Sequence, residues 1–221
     1  KFLWYVIDYF ISKTTKIYHK KPVILNRYWF FYINYKIMII ILSAPSGGGK
    51  SSIANKLVAL DNNIIKSVSI TTRPPRTKEQ EGKDYFFSSA KEIIAQDLLE
   101  SAQIYGNLYG TPKKFVLEQL DMGKDVLFDI DWQGAKQIIA KMPNTPILTI
   151  FLMPPSIQEL EKRLRHRQQD SEDTIQHRLQ SAKREMADSK HYKHVLINDD
   201  FDKTISQILI LIREYRRLNK L

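Results

Sequence analysis

The chain has 221 residues, no cysteine, and a formal net charge of +10 from 34 Lys and Arg against 24 Asp and Glu. Without cysteine there is no disulfide scaffold, no thiolate metal site and no cysteine nucleophile, and a reducing compartment is the fitting one. The length, with 43% hydrophobic residues, suits one domain carrying inserted lobes.

The charge is unevenly placed. Residues 1–37 hold seven Lys and Arg against the single Asp8, together with 12 of the 24 Phe, Trp and Tyr, and all 8 glycines come later. A composition break this sharp marks a boundary. The leading stretch keeps no sustained period of 2 or 3.6. Its apolar run from Tyr28 to Leu42 is broken by Asn34 and Lys36 and falls short of the about 20 residues that span a bilayer. It lacks a signal peptide's cleavage site, and it is too aromatic and too poor in Arg for a transit peptide. Basic and aromatic residues together favour membrane surfaces. The preferred reading is plainer: residues 1–37 lie upstream of a natural start at Met38, or form a loosely ordered extension.

Met38 to Leu42 is an apolar run, predicted to be a strand buried on both faces. Ala44-Pro45-Ser46-Gly47-Gly48-Gly49-Lys50-Ser51 follows, and Ser52 to Val58 reads as helix. A buried strand, a glycine turn and a helix make the context of a phosphate loop. Glycines let successive N–H groups curl around phosphate oxygens, and the helix N-terminus adds partial positive charge. Lys50 is then placed to reach the β- and γ-phosphates of ATP, and the Ser51 hydroxyl to ligate Mg²⁺. The first position of the usual pattern is Ala44 rather than Gly.

Ser67 to Thr72 alternates like a strand and runs into Arg73-Pro74-Pro75-Arg76. Prolines stiffen the backbone, and paired guanidiniums offer planar forks of donors to a phosphate. Taken alone, these read as an ordinary solvated basic loop. Glu81 to Phe87 reads as turn then strand. Asp125 to Asp129 reads as a buried strand leading to a second acid, Asp131. An acid at the carboxyl end of a strand beside a phosphate loop is placed to hold Mg²⁺ through water.

Four blocks together, residues 43–52, 67–76, 106–111 (Gly-Asn-Leu-Tyr-Gly-Thr) and 129–134 (Asp-Ile-Asp-Trp-Gln-Gly), resemble guanylate kinase, in that family's order and spacing. The resemblance covers about residues 38–221. It implies an α/β, three-layer P-loop NTPase fold with a parallel central sheet, an inserted mixed α+β lobe for the nucleoside monophosphate, and a helical lid. The core is expected over 38–70, 124–155 and 190–221, the lobe over 71–123 and the lid over 156–189. The implied reaction is ATP + GMP giving ADP + GDP. Arg73, Arg76, Tyr85 and Tyr109 are implied to hold the GMP phosphate, and Ser69, Glu100 and Thr111 to contact guanine. Asp129 and Asp131 are implied to lie near the metal and the acceptor. Chemistry agrees for Glu100: guanine shows N1–H and a 2-amine side by side, and one carboxylate accepts from both. Adenine has neither, and would leave the acid desolvated and unpaired.

After the strand Ile147–Leu152, Ser156 with Glu159 makes a capping box for a helix. Arg163 and Arg167 lie four apart on that helix, hence on one face, and Arg178 lies on the next. These three match the lid arginines of the family, and with Lys50 and Arg73 they are expected to neutralise charge during transfer. The link Gln168–Ser171 reads as polar and mobile. Asn198, ending a last strand, is implied to approach the ATP adenine or else to cap its turn. Arg213, Arg216, Arg217 and Lys220 read as a solvated basic end of the last helix. A cytoplasmic enzyme is expected, with ATP, GMP and dGMP as candidate ligands, self-association left open, and neither nucleic acid nor stable membrane association. Two rivals are a kinase of another small phosphorylated acceptor and a non-catalytic module that binds phosphopeptides. The intact Lys50-Ser51 pair and glycine triplet argue against the module.

Overall fold

The computed structural model describes residues 37–76, 79–104, 106–166 and 171–218. The chain divides into units 1–34 and 35–221, and the described residues fall in the second. The expectations for the leading stretch, for Arg167, for Lys220 and for the link at 168–170 lie outside the described residues.

The elements run β1 (Ile39–Ser43), α1 (Lys50–Leu60), β2 (Ile64–Lys66), β3 (Ser69–Thr71), β4 (Tyr85–Phe87), α2 (Ala90–Ile94), β5 (Leu98–Ile104), β6 (Asn107–Pro112), α3 (Lys113–Asp121), β7 (Asp125–Asp129), α4 (Trp132–Lys141), β8 (Ile147–Met153), α5 (Ile157–His166), α6 (Glu172–Ala187), β9 (His194–Ile197) and α7 (Phe201–Leu218). Strands β2-β7-β1-β8-β9 form one sheet, in that order, and every adjacent pair is parallel. Strands β4-β3-β6-β5 form a second, mixed sheet. β3 therefore pairs in the second sheet, and the change of sheet falls between Lys66 and Ser69.

The three layers follow from the alternation of β1. Successive side chains of a strand point to opposite faces. Ile40 and Leu42 pack with Ile53 and Leu57 of α1 and Ile205, Ile208 and Ile212 of α7. Ile39 and Ile41 pack with Val116 and Leu120 of α3, Phe128 of β7, and Ala135 and Ile138 of α4. Each fully buried Ile or Leu contributes about 1.5–3 kcal/mol relative to exposure. β1 is thus the spine of the molecule, and its carboxyl end is where the chain turns into the glycine loop. A third cluster, Leu160 and Leu164 of α5 with Ile175, Leu179 and Ala182 of α6, joins these two helices.

Two local expectations change. Arg216 is not a solvated tail residue: its guanidinium lies 2.7 Å from Asp61 Oδ2 and 2.6 Å from Asp125 Oδ2. Asp125 Oδ1 also accepts the Met38 N–H at 2.9 Å, so one carboxylate ties α7 to the start of β1. The cap of α5 is the second. Ser156 Oγ accepts the Glu159 N–H at 3.0 Å, but the Glu159 carboxylate accepts from Arg163 Nε instead of reaching back.

Candidate active site

The glycine loop spans residues 44–49, between β1 and α1. Gly47 and Gly49 have φ of 89° and 88°, left-handed values that favour glycine. The loop is packed as well as turned. A Cβ on Gly47 would fall 2.8 Å from Leu164 of α5, and one on Gly48 would fall 2.9 Å from both Ala44 Cβ and the Pro45 carbonyl. Asn198, buried at the end of β9, donates to the Gly48 carbonyl at 2.8 Å. That is a bond to the loop's backbone, so in this structure Asn198 shapes the loop rather than presenting its amide toward a base.

Lys50 opens α1, and its Nζ lies 2.6 Å from Oδ1 of Asp129 at the end of β7. Burial opposes the Lys50 charge, but Asp129 outweighs it and holds the ammonium above its ordinary pKa. Burial likewise opposes the Asp129 charge, yet Lys50 and the Ser51 hydroxyl hold the carboxylate below its ordinary range. Ser51 is exposed beside this pair, as is Ser52. Asp131 caps α4, accepting the Gly134 N–H at 3.1 Å. Its role here is partly structural.

In the second sheet the register pairs Glu100 with Thr111. The Thr111 hydroxyl donates to Glu100 Oε1 at 2.6 Å, and Ser69 Oγ lies 3.2 Å from Thr111 Oγ1. Thr111 has one hydroxyl proton and spends it on Glu100, so Ser69 donates to Thr111. Glu100 is only 2% exposed. Burial raises its pKa, with the Thr111 bond opposing. The three residues expected to form one pocket are indeed together.

Tyr85 and Tyr109 meet edge to face at 6.0 Å, and the Arg73 guanidinium lies 5.2 Å over the Tyr85 ring. Arg73 Nη2 donates to both oxygens of Glu79 at 2.9 Å. Glu79 also accepts the Arg76 N–H at 2.9 Å. The pairing of Ser69 with Tyr85 and of Thr71 with Tyr109 brings these side chains to one end of the sheet.

Arg178 is buried in α6, and its Nη1 donates to Ser46 Oγ at 3.1 Å. Glu185, two turns further along the same face, accepts the Ser46 N–H at 3.2 Å. Arg163 is held by Glu159 along its own helix, and no described contact brings it to the loop. A cavity of about 400 Å³ opens among Ala44, Gln103, Asp131, Trp132, Glu185 and Tyr192. The Tyr192 hydroxyl donates to Ser43 Oγ at 2.7 Å, and Ser43 donates to the Ile130 carbonyl.

Sequence reasoning passed over Glu79, Glu185 and Tyr192. Glu79 follows the arginine pair by three residues, and Glu185 shares a helical face with Arg178, so both carried a local signal. Tyr192 carried none.

A glycine loop at the carboxyl end of a central parallel strand, at the point where neighbouring strands lead to opposite sides, defines a P-loop phosphotransferase. A second sheet beside it gathers Arg73, Tyr85 and Tyr109 at one end, and the two together have the plan of a nucleoside monophosphate kinase. A family model described as guanylate kinase matches residues 36–215. The guanylate kinase of Rickettsia felis is 51% identical over 180 residues, covering 80% of this chain and 93% of its own. That of Rickettsia bellii is 48% identical, covering 82% and 96%. The crystal structure of guanylate kinase from Anaplasma phagocytophilum matches with a TM-score of 0.69 at 35% identity, over 82% of this chain and 87% of its own. The chain belongs to the guanylate kinase family. Among the described residues, no helix is long and apolar enough to cross a membrane.

Proposed function

We propose that the chain transfers the γ-phosphoryl group of ATP to the phosphate of GMP, giving ADP and GDP. The observation that carries the acceptor's identity is the buried chain Ser69–Thr111–Glu100. Thr111 fixes one carboxylate oxygen, which leaves the acid oriented to accept from guanine N1–H and the 2-amine. Adenine offers neither donor, so AMP would strand a buried charge.

Arg73, Arg76, Tyr85 and Tyr109 take the GMP phosphate. Glu79 braces the Arg73 fork through both its oxygens and holds the Arg76 backbone N–H, so that the Arg73 guanidinium is ordered before the substrate arrives. The backbone of residues 44–52 takes the ATP phosphates, with Lys50 and Arg178 neutralising charge. Arg163 and Arg167 join them from the lid. The GMP phosphate oxygen is already an anionic nucleophile, so no general base is required. Catalysis is positioning plus electrostatic neutralisation. The Ser51 hydroxyl and the Asp129 carboxylate are hard oxygen donors that fit Mg²⁺, which such sites hold by one or two protein groups and the phosphates themselves, and the ion would neutralise charge there. The same reading includes a cytoplasmic location and dGMP as a second acceptor, since no assigned contact requires the ribose 2′-hydroxyl.

The test is ADP formation in a coupled assay with GMP, AMP, UMP and dTMP as acceptors. Turnover confined to GMP supports the reading. Comparable turnover with AMP overturns the base pocket, and no turnover with GMP overturns the reaction.

A further inference from the structure

Gly134 lies in the first turn of α4 and is buried. Its φ is not among the positive ones, so its backbone does not require glycine. What requires it is space. An ideal Cβ at 134 would fall 2.6 Å from Glu100 Oε2, 3.2 Å from Glu100 Cδ and 3.2 Å from Ile130 Cδ1. Carbon–oxygen contacts start near 3.3 Å, so roughly 0.7 Å must be yielded.

The helix cannot yield it. Gln137 of α4 donates to the Ser101 carbonyl at 2.6 Å and accepts the Ser101 N–H at 3.1 Å. Lys141 donates to the Leu98 carbonyl at 3.1 Å. These bonds clamp α4 to β5 on both sides of Glu100. The movable group is the carboxylate itself, and Thr111 holds only its Oε1. A methyl group at 134 would therefore turn or retract the Glu100 carboxylate and leave the backbone in place.

We propose that Gly134 is a positioning residue for acceptor specificity: its missing side chain sets where the Glu100 carboxylate sits. This rests on the assignment of Glu100 to guanine. It makes guanine recognition a property of β5 and α4 together rather than of one acid.

The test compares Gly134→Ala, Glu100→Gln, Glu100→Asp, and Gly134→Ala combined with Glu100→Asp. Gly134→Ala is expected to raise the KM for GMP at least about tenfold, leave the KM for ATP within about twofold, and not lower the melting temperature, since alanine favours helix over glycine. Aspartate is one methylene shorter and withdraws the carboxylate from the new methyl. The double variant should therefore have a higher kcat/KM for GMP than the two single effects multiplied. If Glu100→Gln leaves the KM for GMP unchanged, the guanine assignment fails and the proposal falls with it. If Glu100→Gln raises it and Gly134→Ala does not, the proposal alone is overturned. A Gly134→Ala variant that melts lower and raises both KM values also overturns it, because the glycine would then be structural. A double variant that is no better than multiplicative overturns the steric account.

Discussion

Lys50 Nζ lies 2.6 Å from Asp129 Oδ1. The cation assigned to the ATP phosphates and the acid assigned to Mg²⁺ thus stabilise each other's charged forms. Asp129 is held below its ordinary pKa, so its contribution to stability is present above about pH 4 and is lost as pH falls through the folded-state value. Lys50 is held above its own, so its contribution is present below about pH 10 and is lost only as pH rises beyond it.

Replacing Lys50 with Met should lower kcat at least about 10²-fold. It should also reverse the pH dependence contributed by Asp129. Alone and buried, that carboxylate favours its protonated form, so the variant's loss of stability relative to the parent should shrink between pH 7 and pH 3. Thermal melts across that range check this; a constant difference would show that the pair is not coupled.

Glu100 carries a burial cost in the fold. Its folded-state pKa is raised, so the fold bears that cost above about pH 4.3, where the unfolded carboxyl ionises. Glu100→Gln keeps an acceptor for Thr111 and removes the charge. The expected result at pH 7 is a gain on the order of 1 kcal/mol, or about 2–4 °C, together with a raised KM for GMP. The gain should vanish below about pH 4, where both states of the parent are protonated.

Arg178 reaches the glycine loop through Ser46, whereas Arg165 bridges Glu161 and Glu172 on the exposed side of the lid helices. Arg178→Met should lower kcat about tenfold or more. Arg165→Met should leave it within about twofold, because exposed ion pairs contribute little. Steady-state kinetics of the two variants decide whether position on the lid, rather than charge, matters.

Arg216 offers a contrast in which charge serves the fold. Removing it would leave Asp125 and Asp61 without their shared partner, and Asp125 is only 4% exposed. Arg216→Ala should destabilise by about 3 kcal/mol. The KM for GMP and for ATP should change little in the folded fraction, as read by urea unfolding and kinetics side by side.

The glycine loop and its flanking strand and helix were legible because they depend on a few consecutive residues: an apolar run, glycines at left-handed positions, and a helix start. The arginine pair and the residues proposed for guanine were not legible from local pattern, which suits an ordinary basic loop and an exposed acid equally well or better; they were named only through the four blocks taken together. The strands β5 and β6, whose register brings Glu100 to Thr111, are a finding of the structure.

What the sequence determined, then, was the order of elements, the buried spine of β1 and the glycine loop that follows it. Tertiary structure decided their partners. Asn198 turned out to hold the Gly48 carbonyl across 150 positions, and Glu185 to hold the Ser46 N–H across 139. Arg216 left its expected solvated face for the buried Asp125 and the half-buried Asp61, and the space at Gly134 is limited by Glu100 rather than by its own backbone. Backbone conformation is set by neighbours along the chain, whereas the cost of burying an unpaired charge is settled only where distant segments pack.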